Sequence, residues 1–214
     1  EIEVVPNFID KTKYSENFTD CERALMATDD EKIITHISNF RKVKRIPDII
    51  QIFDRIQKEI PAKLVMVGDG PEKEGAEELC ERLGIADKVI FLGNSNQIDR
   101  ILCFSDLFLL PSEQESFGLA ALEAMINKVP VISSNAGGIP EVNRQGVTGY
   151  LNDIGDIDGM ATNALKILAD ENTLRTFKEN AQKVALEFDI LKVLPLYEEI
   201  YKRAYERRFN NAIT

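Results

Sequence analysis

Six short apolar or β-branched runs, each leading through a polar turn into residues at helical spacing, restrict the fold of this chain more than any other feature. The runs lie at residues 33–38, 62–67, 88–92, 106–110, 129–133 and 148–151. Between them, Ile49, Ile50, Phe53, Ile56 and Ile60 recur at helical spacing behind Pro47, at an early helical position. A polar helix is expected over 72–83, closed by Gly84, and another over 96–104. A third starts from about Phe117, and after Ile157 only helical patterns remain, ending in a helix over 194–209. Strands that alternate with helices predict an α/β fold built on a doubly wound, Rossmann-like parallel sheet. Right-handed crossovers then put every strand C-terminus on one edge. The loops at 39–45, 68–71, 93–97, 111–118 and 137–141 converge there. With 214 residues, 44% of them hydrophobic, the chain can bury one substantial core, placed here at 31–190 between connecting pieces at 1–30 and 191–214.

Charge and cysteine usage narrow the function classes. The formal net charge of −10 disfavours broad binding to nucleic acid or to an anionic membrane, so an anionic ligand needs a local basic patch. No apolar run approaches the roughly 20 residues of a membrane span, and no signal peptide is visible. The chain begins at Glu1 rather than Met, so a cut at that point is expected. Cys21, Cys80 and Cys103 are odd in number and far apart, with neither metal spacing nor a disulfide framework, which points to a reducing cytoplasm.

The turn from Pro111 to Gly118 carries the chemistry. It follows the apolar run Leu107-Phe108-Leu109-Leu110 and leads into Leu119-Ala120-Ala121-Leu122-Glu123-Ala124-Met125. Ligands of open α/β sheets bind at such strand ends, and the free N–H groups of a first helical turn favour an anion. Glu115 and Glu123 stand eight residues apart; if all eight were helical they would span roughly 12 Å. That suits gripping two ends of one ligand and exceeds the roughly 5 to 9.5 Å of a glycosidase carboxylate pair. Asn39-Phe40-Arg41-Lys42-Val43-Lys44-Arg45 gathers four cations, which read either as a solvated turn or as a diphosphate site using charge-assisted hydrogen bonds. Gly68-Asp69-Gly70-Pro71 and Gly137-Gly138 read either as tight turns or as close approaches to a ligand. The dinucleotide glycine pattern and the Walker A sequence are both absent. The single histidine, His36, lies on a strand and reads as packed structure, leaving nucleophilic triads and histidine-based metal sites unsupported.

These motifs together resemble the C-terminal, donor-binding half of retaining GT-B glycosyltransferases, glycosyltransferase family 4. The resemblance runs through Val5-Pro6-Asn7-Phe8-Ile9-Asp10, Lys44, Val67-Gly68-Asp69-Gly70-Pro71, Phe91-Leu92-Gly93, and Glu115-Ser116-Phe117-Gly118-Leu119 with Glu123. It continues through Gly137-Gly138-Ile139-Pro140-Glu141 and Gly146-Val147-Thr148-Gly149-Tyr150, covering nearly the whole chain. Within the family, residues 36–45 are similar to the transferases that join N-acetylglucosamine to L-malate in bacillithiol biosynthesis.

The resemblance implies a nucleotide-sugar donor, UDP-N-acetylglucosamine, no metal or other cofactor, and L-malate as acceptor. Lys44, with Arg41 or Asn39, would contact the diphosphate; many relatives carry arginine where Asn39 stands. Ser116, Phe117, Gly118 and Leu119 would offer backbone N–H groups, Glu115 would hold donor-sugar hydroxyls, and Glu123 the ribose. Gly68, Gly70, Pro71 and the loop after Gly93 would frame the base. The acceptor site would belong to an N-terminal domain that these residues do not contain. Residues 1–30 would be the linker from it, and the last helix would cross back to it, leaving Leu194, Tyr197, Ile200 and Tyr201 partly uncovered. The isolated chain is then expected to bind the donor weakly without transferring. The implied partners are the donor and a small acceptor, with neither nucleic acid nor stable membrane insertion, and homo-oligomerisation is left open. Two other readings stand beside this one: a family 4 transferase with another sugar or acceptor, serving glycolipid or polysaccharide synthesis, and a non-catalytic nucleotide-binding module.

Overall fold

The computed structural model describes residues 3–14 and 23–210, with 207–210 described by backbone alone. Six parallel strands form one sheet in the order β3-β2-β1-β4-β5-β6. They are β1 (Lys32–Ile37), β2 (Ala62–Val67), β3 (Val89–Gly93), β4 (Leu107–Leu110), β5 (Val131–Ser134) and β6 (Gly149–Asn152). The helices are α1 (Ile46–Glu59), α2 (Lys73–Leu83), α3 (Ile98–Leu102), α4 (Leu119–Ile126), α5 (Ile139–Val142), α6 (Ile157–Leu168), α7 (Glu171–Ala185) and α8 (Ile190–Asn210). The expected Rossmann-like α/β fold is therefore present. Strand order reverses between β1 and β4, which pair through Ile34 with Leu107 and Thr35 with Phe108. That reversal opens the crevice where such sheets take ligands.

The central strands are largely apolar because helices cover both faces of the sheet. Side chains alternate along β4. Leu107 and Leu109 join Ile34, Leu64, Met66 and Ile132 under α1 and α6, whereas Phe108 and Leu110 join Val131 under α4 and α7. A smaller cluster packs Ile33, Val65 and Val67 against Ile101 and Phe104.

Three helices start or stop away from their expected positions. α3 is limited to Ile98–Leu102; Ser105 Oγ meets Thr35 Oγ1 at 2.6 Å and donates to the Ile101 carbonyl at 2.9 Å, turning the chain into β4. α4 begins at Leu119, because Phe117 is buried edge-on to Phe188 (centroids 5.7 Å apart) and Gly118 takes φ +97°. The 12 Å helical ruler between Glu115 and Glu123 thus loses its premise. α8 begins four residues before the expected Leu194, with Asp189 Oδ1 accepting from the Leu191 N–H at 3.0 Å, and it carries Pro195 inside. Gly84 closes α2 with φ +69°, as expected.

The connecting piece before residue 31 carries two 3-10 turns, Lys11–Lys13 and Arg23–Leu25, on either side of residues 15–22, which fall outside the described residues. Segment 3–14 lies against α8: Ile9 N–H donates to the Phe188 carbonyl, Ile190 N–H to the Ile9 carbonyl, and Tyr197 Oη to the Pro6 carbonyl. Leu194 and Tyr201 are exposed, as expected, together with Leu191 and Leu196. Among the described residues no helix is long and apolar enough to cross a membrane. Cys80 is a free, buried thiol. Cys103 is disulfide-bonded, which overturns the expectation of no disulfide and with it the argument from the cysteines for a reducing compartment; Cys21 lies outside the described residues.

One buried carboxylate ties several of these elements together. Asp106 Oδ2 accepts from the Ile33 N–H at 3.0 Å and lies 3.0 Å from Arg23, while Oδ1 accepts from Lys178 at 2.7 Å. Burial alone would push this carboxyl up, but Lys178, the Ile33 N–H and Arg23 together hold it below the ordinary value of 3.8. A lowered carboxyl contributes stability that is complete above its unfolded pKa and fades as pH falls through the folded value. Asp106→Asn is expected to cost about 1–3 kcal/mol at neutral pH, since the partners lose a charged acceptor. Urea titrations across pH 2–6 should show a shallower acid limb for the variant; an unchanged limb would remove Asp106 from this role.

Candidate functional site

The loops at the C-terminal edge of the sheet are stitched to one another by backbone hydrogen bonds. Phe40 N–H donates to the Asp69 carbonyl at 2.9 Å, Gly68 N–H to Gly93 at 2.8 Å, Glu113 N–H to Val43 at 2.8 Å, and Gly138 N–H to Glu115 at 2.9 Å. The four loops expected to converge, and the Gly137–Gly138 loop with them, therefore form one continuous rim.

Glycine is required at two of these seams. A Cβ on Gly137, which has φ +55°, would lie 1.9 Å from the Glu115 carbonyl oxygen, and one on Gly138 would lie 2.4 Å from that of Ser116. Gly137-Gly138 thus braces the Glu115–Ser116 turn from behind. Gly68 and Gly70 are equally close-packed, against Ser38 and Phe40 of the loop after β1. The space beside these two glycines is filled by the chain's own backbone. Pro71 is exposed and Gly93 half-buried at the same rim.

The four cations of residues 39–45 divide in their roles. Lys44, on the 3-10 turn Lys42–Lys44, places Nζ 2.6 Å from Glu115 Oε2, with both side chains more than four-fifths buried. Arg45 adopts φ +53° at the start of α1 and is committed to Asp48 at 2.7 Å and Glu113 at 3.3 Å. Arg41, Lys42 and Asn39 are exposed or partly so. The Arg41 guanidinium makes neither a hydrogen bond nor an ion pair with the described residues.

α4 points its N-terminus at this rim without a side-chain cap, so Gly118, Leu119 and their neighbours leave N–H groups available. Ser116 and Leu119 are exposed, whereas the Phe117 side chain belongs to the core. A cleft of about 520 Å³ opens here, lined by Val43, Glu113, Gln114, Glu115, Ser116 and Gly137. A second hollow of about 260 Å³ lies beyond β3, with Leu92, Ile101 and Phe104 as apolar wall and Asn94, Gln97 and Arg100 as polar rim.

The two glutamates sit in different surroundings. Glu115 is paired with Lys44. Glu123, on α4, faces Tyr14, whose hydroxyl lies 3.5 Å from Oε1. Burial raises the Glu123 carboxyl above its usual range, partly offset by the Tyr14 hydroxyl. Burial and the Glu123 charge push the Tyr14 phenol up to about 12. Sequence reasoning misses Tyr14, because nothing local connects it to a helix more than a hundred residues away.

His36 is fully buried, as its strand position suggests. Nδ1 lies 2.8 Å from the Leu109 carbonyl and Nε2 lies 2.7 Å from Ser38 Oγ. Burial lowers its pKa to about 4; the Leu109 carbonyl opposes that shift and the Lys44 charge adds to it. Sequence reasoning misses Ser38 as well, since a lone serine at a strand end carries no signal. Among the described residues no cluster of His, Cys, Asp and Glu could hold a metal ion.

Comparison with known proteins bears on this rim. The family model described as glycosyl transferases group 1 matches residues 19–184. The chain belongs to that family. Over 203 residues it is 45% identical to N-acetyl-alpha-D-glucosaminyl L-malate synthase of Bacillus anthracis, covering 94% of this chain and 53% of that protein. HepE of Anabaena, solved in complex with UDP, superposes with a TM-score of 0.87 at 25% identity, over 94% of this chain and 57% of that one. Sucrose-phosphate synthase of Thermosynechococcus elongatus shares the fold with a TM-score of 0.86 at 23% identity, over 96% and 53% of the two chains. The sheet is thus one Rossmann-like half of the GT-B architecture, and the chain spans about half the length of the relatives it matches.

The glycine brace yields a direct test. Gly138→Ala must displace the turn carrying Glu115 by forcing apart two backbones in contact, at an expected cost of about 1–3 kcal/mol. Amide resonances should move chiefly at residues 113–119 and 136–141. Shifts spread evenly through the sheet, or none at all, would show that the brace does not set this turn.

Proposed function

We propose that this chain is the donor-binding half of a retaining family 4 glycosyltransferase that moves N-acetylglucosamine from UDP-N-acetylglucosamine to L-malate, a sugar transfer of bacillithiol synthesis. The observation that carries the reading is the part-buried Lys44–Glu115 pair beside the uncapped start of α4. A cation and free N–H groups suit a diphosphate, while a carboxylate beside them suits sugar hydroxyls. The 45% identity to the Bacillus anthracis synthase supports the choice of sugar and acceptor.

In this reading Lys44 meets the diphosphate with Arg41, whose guanidinium is uncommitted, and Asn39 lies at the same turn. Backbone N–H groups from Ser116 to Leu119 hold phosphate and sugar oxygens. Glu115 binds sugar hydroxyls and Glu123 the ribose. The hollow beyond Leu92 and Gly93, with its apolar wall and polar rim, accepts the uracil ring near Gly68, Gly70 and Pro71. The departing UDP gains negative charge as the glycosidic bond breaks, and Lys44, Arg41 and the α4 N-terminus stabilise it there. No metal is invoked. The acceptor binds on a second, N-terminal domain joined through residues 1–30 and contacted by α8. The chain alone binds the donor without transferring, and the whole protein works in the cytoplasm.

Glu115→Ala in the full-length protein is expected to lower kcat by about 10²–10³-fold, the range seen when one preorganised polar contact is lost, while UDP binding by calorimetry persists. Retained transfer would remove Glu115 from this role. UDP-glucose or GDP-mannose turning over faster than UDP-N-acetylglucosamine would overturn the donor assignment. A raised Glu123 carboxyl protonates earlier than an ordinary glutamate as pH falls, so UDP affinity should begin to drop at a pH above the ordinary value of about 4.3. Glu123→Gln should flatten that decline, and an identical profile in the variant would exclude Glu123 as the ribose contact.

A further inference from the structure

The His36–Ser38 pair at the end of β1 lies outside the machinery described so far, and its chemistry is unusually restricted. A carbonyl oxygen only accepts, so the 2.8 Å contact with Leu109 fixes the proton of the neutral imidazole on Nδ1. Nε2 is then an acceptor, and the 2.7 Å contact with Ser38 requires the serine hydroxyl to donate to it. Burial keeps the ring neutral, so this arrangement persists through the working pH range. Ser38 has one hydroxyl proton, and it is committed to His36. What remains on Oγ is acceptor capacity alone.

Place gives that oxygen a purpose. Ser38 is half-buried at the C-terminal end of β1, next to the switch point. Its N–H donates to the Val67 carbonyl at 3.1 Å and its own carbonyl abuts Gly68, so the backbone cannot drift. His36 and Ser38, two residues apart, share one face of the chain at this strand end, and the His36 ring lies 6.2 Å from that of Phe40 and 6.3 Å from that of Phe108. The Lys44 ammonium is close enough to act on the imidazole. Apart from the bond to His36, the Ser38 hydroxyl makes no hydrogen bond with the described residues.

We propose that Ser38 is a donor-sugar contact, accepting from a sugar hydroxyl or acetamido N–H, and that His36 is the positioning residue that aims it by taking its proton. This rests on the donor-binding reading above and deepens it. A hydroxyl locked as acceptor rejects phosphate oxygens, which also only accept. The pair therefore discriminates within the ligand: it serves the sugar and is silent toward the diphosphate.

The test compares UDP with UDP-N-acetylglucosamine by calorimetry on the full-length protein. Ser38→Ala should weaken UDP-N-acetylglucosamine binding about tenfold, the scale of one hydrogen bond of roughly 1.4 kcal/mol, and leave UDP unchanged. Ser38→Thr, which keeps the hydroxyl, should restore the sugar preference. His36→Asn, whose amide can still donate to Leu109 but whose shorter side chain puts no acceptor at the Nε2 position facing Ser38, should reproduce part of the Ser38→Ala loss. Nitrogen-15 spectra of His36 should show a protonated Nδ1 and a hydrogen-bonded, unprotonated Nε2, with only Nε2 moving in Ser38→Ala. Equal losses for both ligands, no loss for either, or a proton on Nε2 would overturn the assignment. Wild-type protein that binds neither ligand would overturn the donor reading first, and this one with it.

Discussion

Parallel pairing at the centre of the sheet is the constraint on which the rest depends. Because β1 and β4 run the same way, both end at the same edge, and reversal of strand order between them prevents any helix from closing that gap. Leu109 lends its carbonyl to His36 across this seam, so the two central strands are joined by a side chain as well as by their ladder. Everything polar that follows, including the Lys44 turn, the Glu115 turn and the start of α4, is fastened to strand ends whose spacing the ladder dictates. The fold thus delivers cations, a carboxylate and free N–H groups to one place, although the Lys44 and Glu115 turns lie far apart in sequence.

Much of this is legible in the amino-acid order alone. Apolar and β-branched runs locate the six strands and period-3.6 patterns the helices between them, because burial on both faces leaves strands as plain apolar runs. Glu115, Lys44 and the glycine loops are legible because each belongs to a local motif. Element ends are less so, and for physical reasons: α4 waits for Phe117 to be buried against Phe188, a contact between segments distant in the chain. Tyr14 beside Glu123 depends on packing between distant segments, and the placement of the proton between Ser38 and His36 depends on tautomer chemistry, neither of which spacing encodes. Residues 39–45 look like one basic patch when read along the chain, yet folding separates them, with Arg45 bound to Asp48 and Glu113 at the head of α1 and Lys44 to Glu115.

The electrostatics of the rim follow from that division. An acidic chain of net charge −10 repels anions at long range. Yet the rim concentrates one part-buried cation, one exposed guanidinium and a helix N-terminus within a region largely screened from distant carboxylates at physiological ionic strength, where the Debye length is about 8 Å. Glu115 neutralises Lys44, which holds the ammonium in position and keeps its charge from standing uncompensated.

The glycine brace behind Glu115 separates geometry from recognition. The turn is located by backbone resting on backbone, Gly137 and Gly138 against Glu115 and Ser116, and not by the side chains it displays. Gln114 and Ser116 therefore face the cleft with little structural duty. Substitutions at these two positions change the lining of the cleft while the carboxylate beside them stays where it is, so the surface can vary without the fold having to be solved again.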